Sequence, residues 1–277
     1  MSLKGKLQIV ERSDVGQVRD HNEDFIISDE KRGIAVLADG MGGMNAGEVA
    51  SSMSAHVVMD ELVGFVDGSS TLQMADKQPG DIGGYEKRVL QTSVEKANSA
   101  VFHVSQTQPQ CRGMGTTIIA TLFYDNKIVV GHIGDSRMYR CRDDELEQIT
   151  KDHSFVQELI DKGLYSEEEA RISSQKNVVT RAVGVAPTIE AEVNEHDALP
   201  GDLYLMCSDG LTDLVSDKDI QSIIDLSGSN LEGMAEQLVE MANASGGKDN
   251  ISIILIRVIK SYSSEANLLD RILGWFE

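Results

Sequence analysis

Gly33-Ile34-Ala35-Val36-Leu37-Ala38-Asp39-Gly40-Met41-Gly42-Gly43 is the stretch around which the rest of the chain can be read. Ile34 to Ala38 is an unbroken apolar run with β-branched residues, preceded by Gly33, and it reads as a buried central strand. The strand ends in an acid, Asp39, and glycines at 40, 42 and 43 follow. An acid at the end of a packed strand can point into a site without moving. The glycines let the backbone turn sharply and approach a ligand closely. Asn45-Ala46-Gly47-Glu48 then reads as a helix start, with an asparagine cap and a glutamate three residues on. The plain alternative is a strand-turn-helix corner with an incidental aspartate, because short Gly-rich strings have many false positives.

Outward from this stretch the pattern is mixed. Strands are predicted from Leu7, at Phe25–Ile27, and at 116–124, 127–133, 137–142, 146–149, 189–193, 203–207 and 251–259. Helical spacing predicts helices over 46–65, 86–106, 152–163, 217–226 and 231–244, and Ser166-Glu167-Glu168-Glu169 reads as a further helix cap. Asp125-Asn126 and Asp143-Asp144 are tight-turn signals between neighbouring strands, so the middle of the chain is an antiparallel meander and not a βαβ series. Helix pairs between runs of antiparallel strands predict an α+β layered domain. The glycine-rich segment 64–84 reads as a long surface loop. In the tail, Leu268, Leu269, Ile272, Leu273, Trp275 and Phe276 fall on one helical face, which predicts a C-terminal amphipathic helix over 261–277.

Composition narrows the function. The chain has 277 residues, 41% hydrophobic and 25% charged, ordinary for a globular protein with a sizeable core. Its formal net charge of −20 argues against nucleic acid, where binding depends on neutralising phosphates with Lys and Arg. An anionic substrate needs local positive charge against that field, and bound cations would supply it. Three scattered cysteines, Cys111, Cys141 and Cys207, form no disulfide framework and no Cys-x-x-Cys pair, so a reducing, cytoplasmic setting is expected. No signal peptide and no membrane-spanning run is read from the sequence.

The chemistry sits at strand ends. Asp39-Gly40 and Asp209-Gly210 each follow a buried strand, Asp249-Asn250 precedes one, and Glu23-Asp24 lies at a strand edge. Five carboxylates converging without partners would cost several kcal/mol per buried ion. The cations near them in sequence are few: Arg19, Arg137 and Lys248. A bound metal resolves the conflict. All the ligands are oxygen, and no His or Cys falls at metal-ligand spacing, which selects Mg²⁺ or Mn²⁺ over Zn²⁺. Acids from separate strands suit a pair of ions that activates a water and clamps a phosphoryl group.

Six motifs in order carry a resemblance. They are Ser13-Asp14-x-Gly16-x-x-Arg19-x-x-Asn22-Glu23-Asp24, Asp39-Gly40-Met41-Gly42-Gly43, Gly113-Met114-Gly115-Thr116-Thr117, Gly134-Asp135-Ser136-Arg137, Ser208-Asp209-Gly210-Leu211-x-Asp213 and Asp249-Asn250-Ile251-Ser252. Over residues 7–259 the chain resembles the bacterial branch of the PP2C (PPM) family of metal-dependent serine/threonine protein phosphatases. The resemblance implies one catalytic domain over 1–260: two antiparallel β-sheets face to face, helix pairs on both outer faces, metals at one end, and a flap at 152–184. It implies that Asp39 bridges two Mn²⁺ or Mg²⁺ ions. Glu23 and the Gly40 carbonyl then serve one ion, and Asp209 and Asp249 the other. Asp24 accepts from and orients a metal-bound water, Arg19 holds the substrate phosphate, and Asp135, Asp209 and Asp213 match a third metal position. It further implies phosphoserine and phosphothreonine proteins as substrates, an opposing Ser/Thr kinase, and a monomer.

The chain departs from the family pattern at Met44, often His, and at Ser173-Ser174, often His-Pro, both outside the ligand set. Met41 stands where eukaryotic relatives have a His, so the leaving-group proton donor is unassigned. Plainer readings stand beside these roles. Arg19 pairs with Asp20 or Glu23, Asp135 fills a turn, Asp213 is a helix N-terminal acid, His153 packs the flap and Cys207 fills the core. The competing functions are a non-catalytic phosphoprotein-binding module and a hydrolase of small phosphate esters.

Overall fold

The computed structural model describes residues 2–42, 46–69, 84–166, 169–170 and 173–263. Most of the tail read at 261–277, the middle of the loop read at 64–84, and Met44 and Asn45 lie outside them.

Strand parity builds the layers. In β3 (Ile34–Met41), Ile34, Val36 and Ala38 point to one side, and Ala35 and Leu37 to the other. In β11 (Ile251–Val258), Ile251, Ile253 and Leu255 face one side, and Ile254, Ile256 and Val258 the other. Both strands are apolar on both faces, so each must be covered twice. The chain meets this with two antiparallel sheets. One runs β1 (Leu7–Asp14), β11, β10 (Leu203–Cys207), β7 (Arg137–Arg142), β8 (Glu145–Gln148). The other runs β2 (Asp24–Asp29), β3, β5 (Ile118–Tyr124), β6 (Lys127–Ile133), β9 (Glu192–Asp197), with β4 (Gly115–Thr116) pairing β3. Leu37, Ile119 and Phe123 of one sheet meet Tyr204, Met206 and Ile254 of the other in a central core. Outside, α1 (Ala46–Val66) and α2 (Gly84–Thr107) cover the β3 sheet. The β11 sheet is covered by α5 (Asp217–Ser227) and α6 (Leu231–Ala244). This is the face-to-face sandwich with outer helix pairs that the resemblance implied.

Local chemistry explains most boundaries. Both sequence-predicted turns have two residues at positive φ, Asp125 and Asn126 at 45° and 58° and Asp143 and Asp144 at 52° and 61°, as two-residue hairpins require. Ser154, Ser216 and Asn230 accept backbone N–H bonds at the starts of α3 (Phe155–Asp161), α5 and α6. Ser166 and Glu169 make the reciprocal bonds of a capping box. Some boundaries shift. The helix expected at 152–163 is shorter, because Asp152 and His153 make tertiary contacts instead. The strand expected at 189–193 runs over Glu192–Asp197, since β9 is a half-polar edge paired residue by residue with β6. A four-residue helix, α4 (Asp209–Thr212), follows β10 unannounced. Among the described residues α1 is the one helix long and apolar enough to cross a bilayer, and Ala50, Val58 and Leu62 of it are packed on the β3 sheet and α2.

Candidate metal centre

The acids read as metal ligands lie together at one end of the sandwich. Asp24 and Asp39 are directly opposite one another in the β2–β3 register. Asp209 opens α4 just beyond β10, and Asp249 precedes β11 by two residues. The fields of Asp24, Asp209, Asp135 and Asp249 all act on Asp39, so these side chains share one cleft.

Backbone bonds fix the acids. Asp39 N–H donates to Thr117 Oγ1 at 3.0 Å, and its carbonyl accepts from Thr117 N at 2.8 Å and Thr116 Oγ1 at 2.8 Å. The glycine after each aspartate is required by space. A Cβ on Gly40 would strike the Gly47 and Glu23 carbonyl oxygens, and one on Gly210 would strike the Asn250 carbonyl. The loop carrying Arg19 and Glu23 is stitched to β11 through Asn250. Its Oδ1 accepts from Glu23 N at 2.8 Å, and its Nδ2 donates to Val15 O at 3.0 Å and His21 O at 2.9 Å. The Glu23 carboxylate lies against Gly47 in the first turn of α1, where the helix dipole favours negative charge.

The electrostatics are those of an anion cluster short of cations. Burial and the charges of Asp24, Asp209, Asp135 and Asp249 hold the Asp39 carboxyl well above the usual range. Burial, then Asp135, Asp213 and Asp249, do the same to Asp209. Asp24 is pushed up by burial against the pull of the neighbouring Ser252 and Ser208 hydroxyls, of which Ser208 Oγ donates to it at 2.8 Å, and Asp135 by burial and Asp152. Asp39, Asp209 and Asp249 keep partial solvent contact at the cleft floor while Asp24 and Asp135 are 8% exposed, so the repulsion is screened unevenly.

Arg19 meets this cluster directly. Its guanidinium donates to Asp249 Oδ2 at 2.7 Å, with Glu23 and Asp39 adding to the attraction. The plainer pairing with Asp20 or Glu23 is thus replaced by a pairing with a candidate ligand. The residues fit hard divalent cations: an all-oxygen set from separate strands, destabilised in its charged form, with one guanidinium standing where positive charge is wanted.

Beside the acids opens a cleft of about 550 Å³ lined by Asp135, Asp209, Asp213 and the flap residues Lys176 and Asn177. Asp213 ends α4, one turn from Asp209, and accepts from Asn177 Nδ2 at 2.8 Å and Lys176 Nζ at 3.0 Å. Its reading as a helix N-terminal acid is therefore corrected. Asp135, read alternatively as a turn aspartate, is in the turn after β6 and faces Asp152 and Asp213. Arg137, counted as a nearby cation, is committed to Asp152 at 2.7 Å.

One cluster escaped the sequence. His132, His153 and Glu192 bring three potential ligand atoms within 4.8 Å of one another, although no histidine spacing announced it. The chemistry opposes a metal there. The rings stack at 4.7 Å and 12°, so their in-plane lone pairs cannot converge on one ion. Gly134 N–H donates to His153 Nδ1 at 3.1 Å, which leaves the proton on Nε2, 3.5 Å from Glu192 Oε2. Burial, His132 and Arg181 push His153 down to about 4, so it packs the flap root as a neutral ring.

Residues 12–250 match the family profile described as Protein phosphatase 2C. The chain belongs to that family. It is 38% identical over 253 residues to the serine/threonine protein phosphatase PstP of Mycobacterium tuberculosis, covering 91% of this chain and 45% of PstP. It is 32% identical to the serine/threonine phosphatase stp of Listeria innocua, covering 88% of this chain and 93% of stp. This PP2C-family chain therefore spans about half the length of PstP but nearly all of stp. The crystal structure of PstP superposes with a TM-score of 0.79 at 38% identity, covering 91% and 99% of the two chains. A second, of the PstP catalytic domain in complex with two manganese ions, superposes at 0.76 and 38% identity, covering 92% and 99%.

Sequence reasoning missed Ser208, which donates to Asp24 Oδ2 at 2.8 Å, and Asn250, which ties the Arg19 loop to β11. Both lie inside the six motifs, so the available signal was that each motif holds more polar residues than the ligand set uses.

Proposed function

We propose that this PP2C-family protein is a metal-dependent phosphatase of phosphoserine and phosphothreonine proteins. The observation that carries the reading is the convergence of Glu23, Asp24, Asp39, Asp209 and Asp249 on one cleft with Arg19 as the cation in contact. Asp39, Glu23 and the Gly40 carbonyl would hold one Mn²⁺ or Mg²⁺ ion, and Asp39, Asp209 and Asp249 a second. Asp135, Asp209 and Asp213 would hold a third. When bound, the ions acidify a coordinated water and neutralise phosphoryl charge. The chain's own residues do the rest. Arg19 would present its planar donor fork to the substrate phosphate. Asp24 would accept a hydrogen bond from the attacking water and set its direction.

A phosphoprotein substrate implies an opposing Ser/Thr kinase. The free thiols of Cys111 and Cys207, buried and unbridged, support a reducing, cytoplasmic setting, and we take the protein to act as a monomer. A non-catalytic role is disfavoured because all the acid positions are filled. The test is hydrolysis of phosphothreonine and phosphotyrosine peptides and of p-nitrophenyl phosphate, with Mn²⁺, Mg²⁺ or EDTA. Phosphothreonine turnover that needs the metal supports the reading. A Mn²⁺-saturated protein inert to every phosphopeptide overturns it, and turnover of small esters alone transfers the chemistry to another substrate class.

A further inference from the structure

Residues 152–184 leave the sandwich between β8 and β9 and wall the cleft beside the acids, with Ser154 and Gln157 on the incoming leg and Lys176 and Asn177 on the outgoing one. The two legs pair where they depart. Phe155 N donates to Val178 O at 2.8 Å, and Thr180 N donates to His153 O at 2.8 Å. Each leg is also bonded to a strand end that carries an acid of the site. The incoming leg is held next to Asp135, where His153 N donates to Gly134 O at 2.9 Å. The outgoing leg is held at Thr116, which exchanges both backbone bonds with Val183 at 3.0 and 2.8 Å and whose hydroxyl donates to the Asp39 carbonyl at 2.8 Å. The opening of the cleft is therefore set at this root.

Just past Val183 the outgoing leg meets α2, and one side chain receives it. Asn98 is 1% exposed, beside the apolar Val94, Ala97 and Val101. Its Oδ1 accepts from Gly184 N at 2.7 Å, and its Nδ2 donates to Ala186 O at 3.0 Å. A backbone N–H can only donate and a carbonyl can only accept, so the two partners fix which end of the amide faces which. Among side chains of this size only asparagine supplies both groups. Leucine has neither, and an aspartate could not donate to Ala186. Gly184 fits the leg to the same helix: its φ is +87°, and a Cβ there would strike Val101. The packing of α2 on the β3 sheet does not need the amide, because Val89, Leu90, Val94 and Val101 supply the apolar face.

We infer that Asn98 is a positioning residue, which fixes the outgoing leg of the flap and so sets the opening of the cleft that receives the polypeptide around the phosphorylated residue. The kinetic part rests on the phosphatase reading; the anchoring does not. The bonds of Asn98 reach the flap and none of the acids, so its loss falls on the fit of an extended substrate and not on the chemistry at phosphorus.

The experiment compares Asn98→Ala with Leu90→Ala, a cavity in the same helix where Leu90 lies over Gly131 of β6. Amide hydrogen exchange of the metal-free protein is read at Thr180, Val183 and Gly184 against the amides of β5 and β6. KM and kcat are read with a phosphothreonine peptide and with p-nitrophenyl phosphate. Leaving a buried backbone group unpaired favours local opening by about tenfold or more, so Asn98→Ala is expected to speed exchange at the three root amides by that factor over the strand amides. KM for the peptide is expected to rise roughly 2- to 10-fold, because the leg must then be ordered as substrate binds, with the small ester little changed. Leu90→Ala is expected to lower Tm at least as far while leaving the root amides and both KM values as in the wild type. Gly184→Ala, which pushes the leg off Val101, should reproduce the Asn98→Ala pattern, and it carries the test if Asn98→Ala does not fold. Wild-type root exchange or a wild-type peptide KM in Asn98→Ala overturns the inference, and so does the same pattern in Leu90→Ala. If the wild-type protein turns over no phosphopeptide, the phosphatase reading has failed, and root exchange alone decides whether Asn98 holds the flap.

Discussion

Asp39→Asn is expected to stabilise the metal-free protein while abolishing its use of metal. Most substitutions of a packed residue destabilise, by about 1 kcal/mol. Asp39 differs because Asp24, Asp209, Asp135 and Asp249 all repel it and burial penalises its charge. Two unit charges about 4 Å apart repel by about 1 kcal/mol in water and about 4 kcal/mol at an effective dielectric of 20. Asp39 keeps some solvent contact, so the lower half of that range applies. Set against the ordinary cost of substitution, neutralising it leaves a net gain of up to about 1.5 kcal/mol, or up to about 3–6 °C in Tm for a domain of this size.

The sign depends on pH. The folded carboxyl has a raised pKa, so the folded metal-free protein binds more protons than the unfolded chain, and its stability falls as pH rises through the raised values. The advantage of Asp39→Asn should therefore be larger at pH 7.5 than at pH 5. With Mn²⁺ the order inverts: at 100 times Kd, one site adds about 2.7 kcal/mol to the wild type, and the variant gains far less. The assay is thermal unfolding of both proteins in EDTA and in Mn²⁺ across that pH range. A lower Tm for Asp39→Asn in EDTA at pH 7.5 would refute the reasoning, because the acids would then be balanced without a cation.

Three further outcomes are expected. Arg19→Ala should raise KM for phosphopeptides by roughly tenfold or more, the worth of a charged hydrogen bond, with a smaller change in kcat; a large loss of kcat at constant KM would assign Arg19 another role. Gly40→Ala should lower Tm by several degrees and weaken Mn²⁺ binding, since its Cβ meets the Gly47 and Glu23 carbonyls that frame the site; a fully stable, metal-binding variant would show that the corner can open. Truncation after Ser263 should leave kcat intact. Truncation after Lys260 should also lower Tm, because it removes Tyr262, which is 2% exposed and whose N–H donates to Asn126 Oδ1 at 2.7 Å at the sandwich end opposite the acids. The tail read at 261–277 is proposed to dock on the protein's own surface, and solvent-like emission from Trp275, the single tryptophan, would refute that.

What the sequence determined by itself was local in origin. Apolar runs ending in Asp39 and Asp209, turns at Asp125-Asn126 and Asp143-Asp144, and helical spacing in α1, α2, α5 and α6 each depend on a few neighbouring residues. The ordered motifs carried the ligand set and, through the family resemblance, the sandwich. The tertiary structure decided what depends on distant partners. Arg19 lies on Asp249 and not on a sequence neighbour, because the β1–β11 ladder brings their loops together across 230 positions. His132, His153 and Glu192 meet because β6 pairs with β9, and ring stacking, invisible in the sequence, denies them a metal. The Ser208 hydroxyl finds its acceptor only when the fold sets it against the Asp24 carboxyl, 184 positions away. A residue type states which bonds it can make; only the fold supplies the partner, and with it the charge, the proton and the orientation.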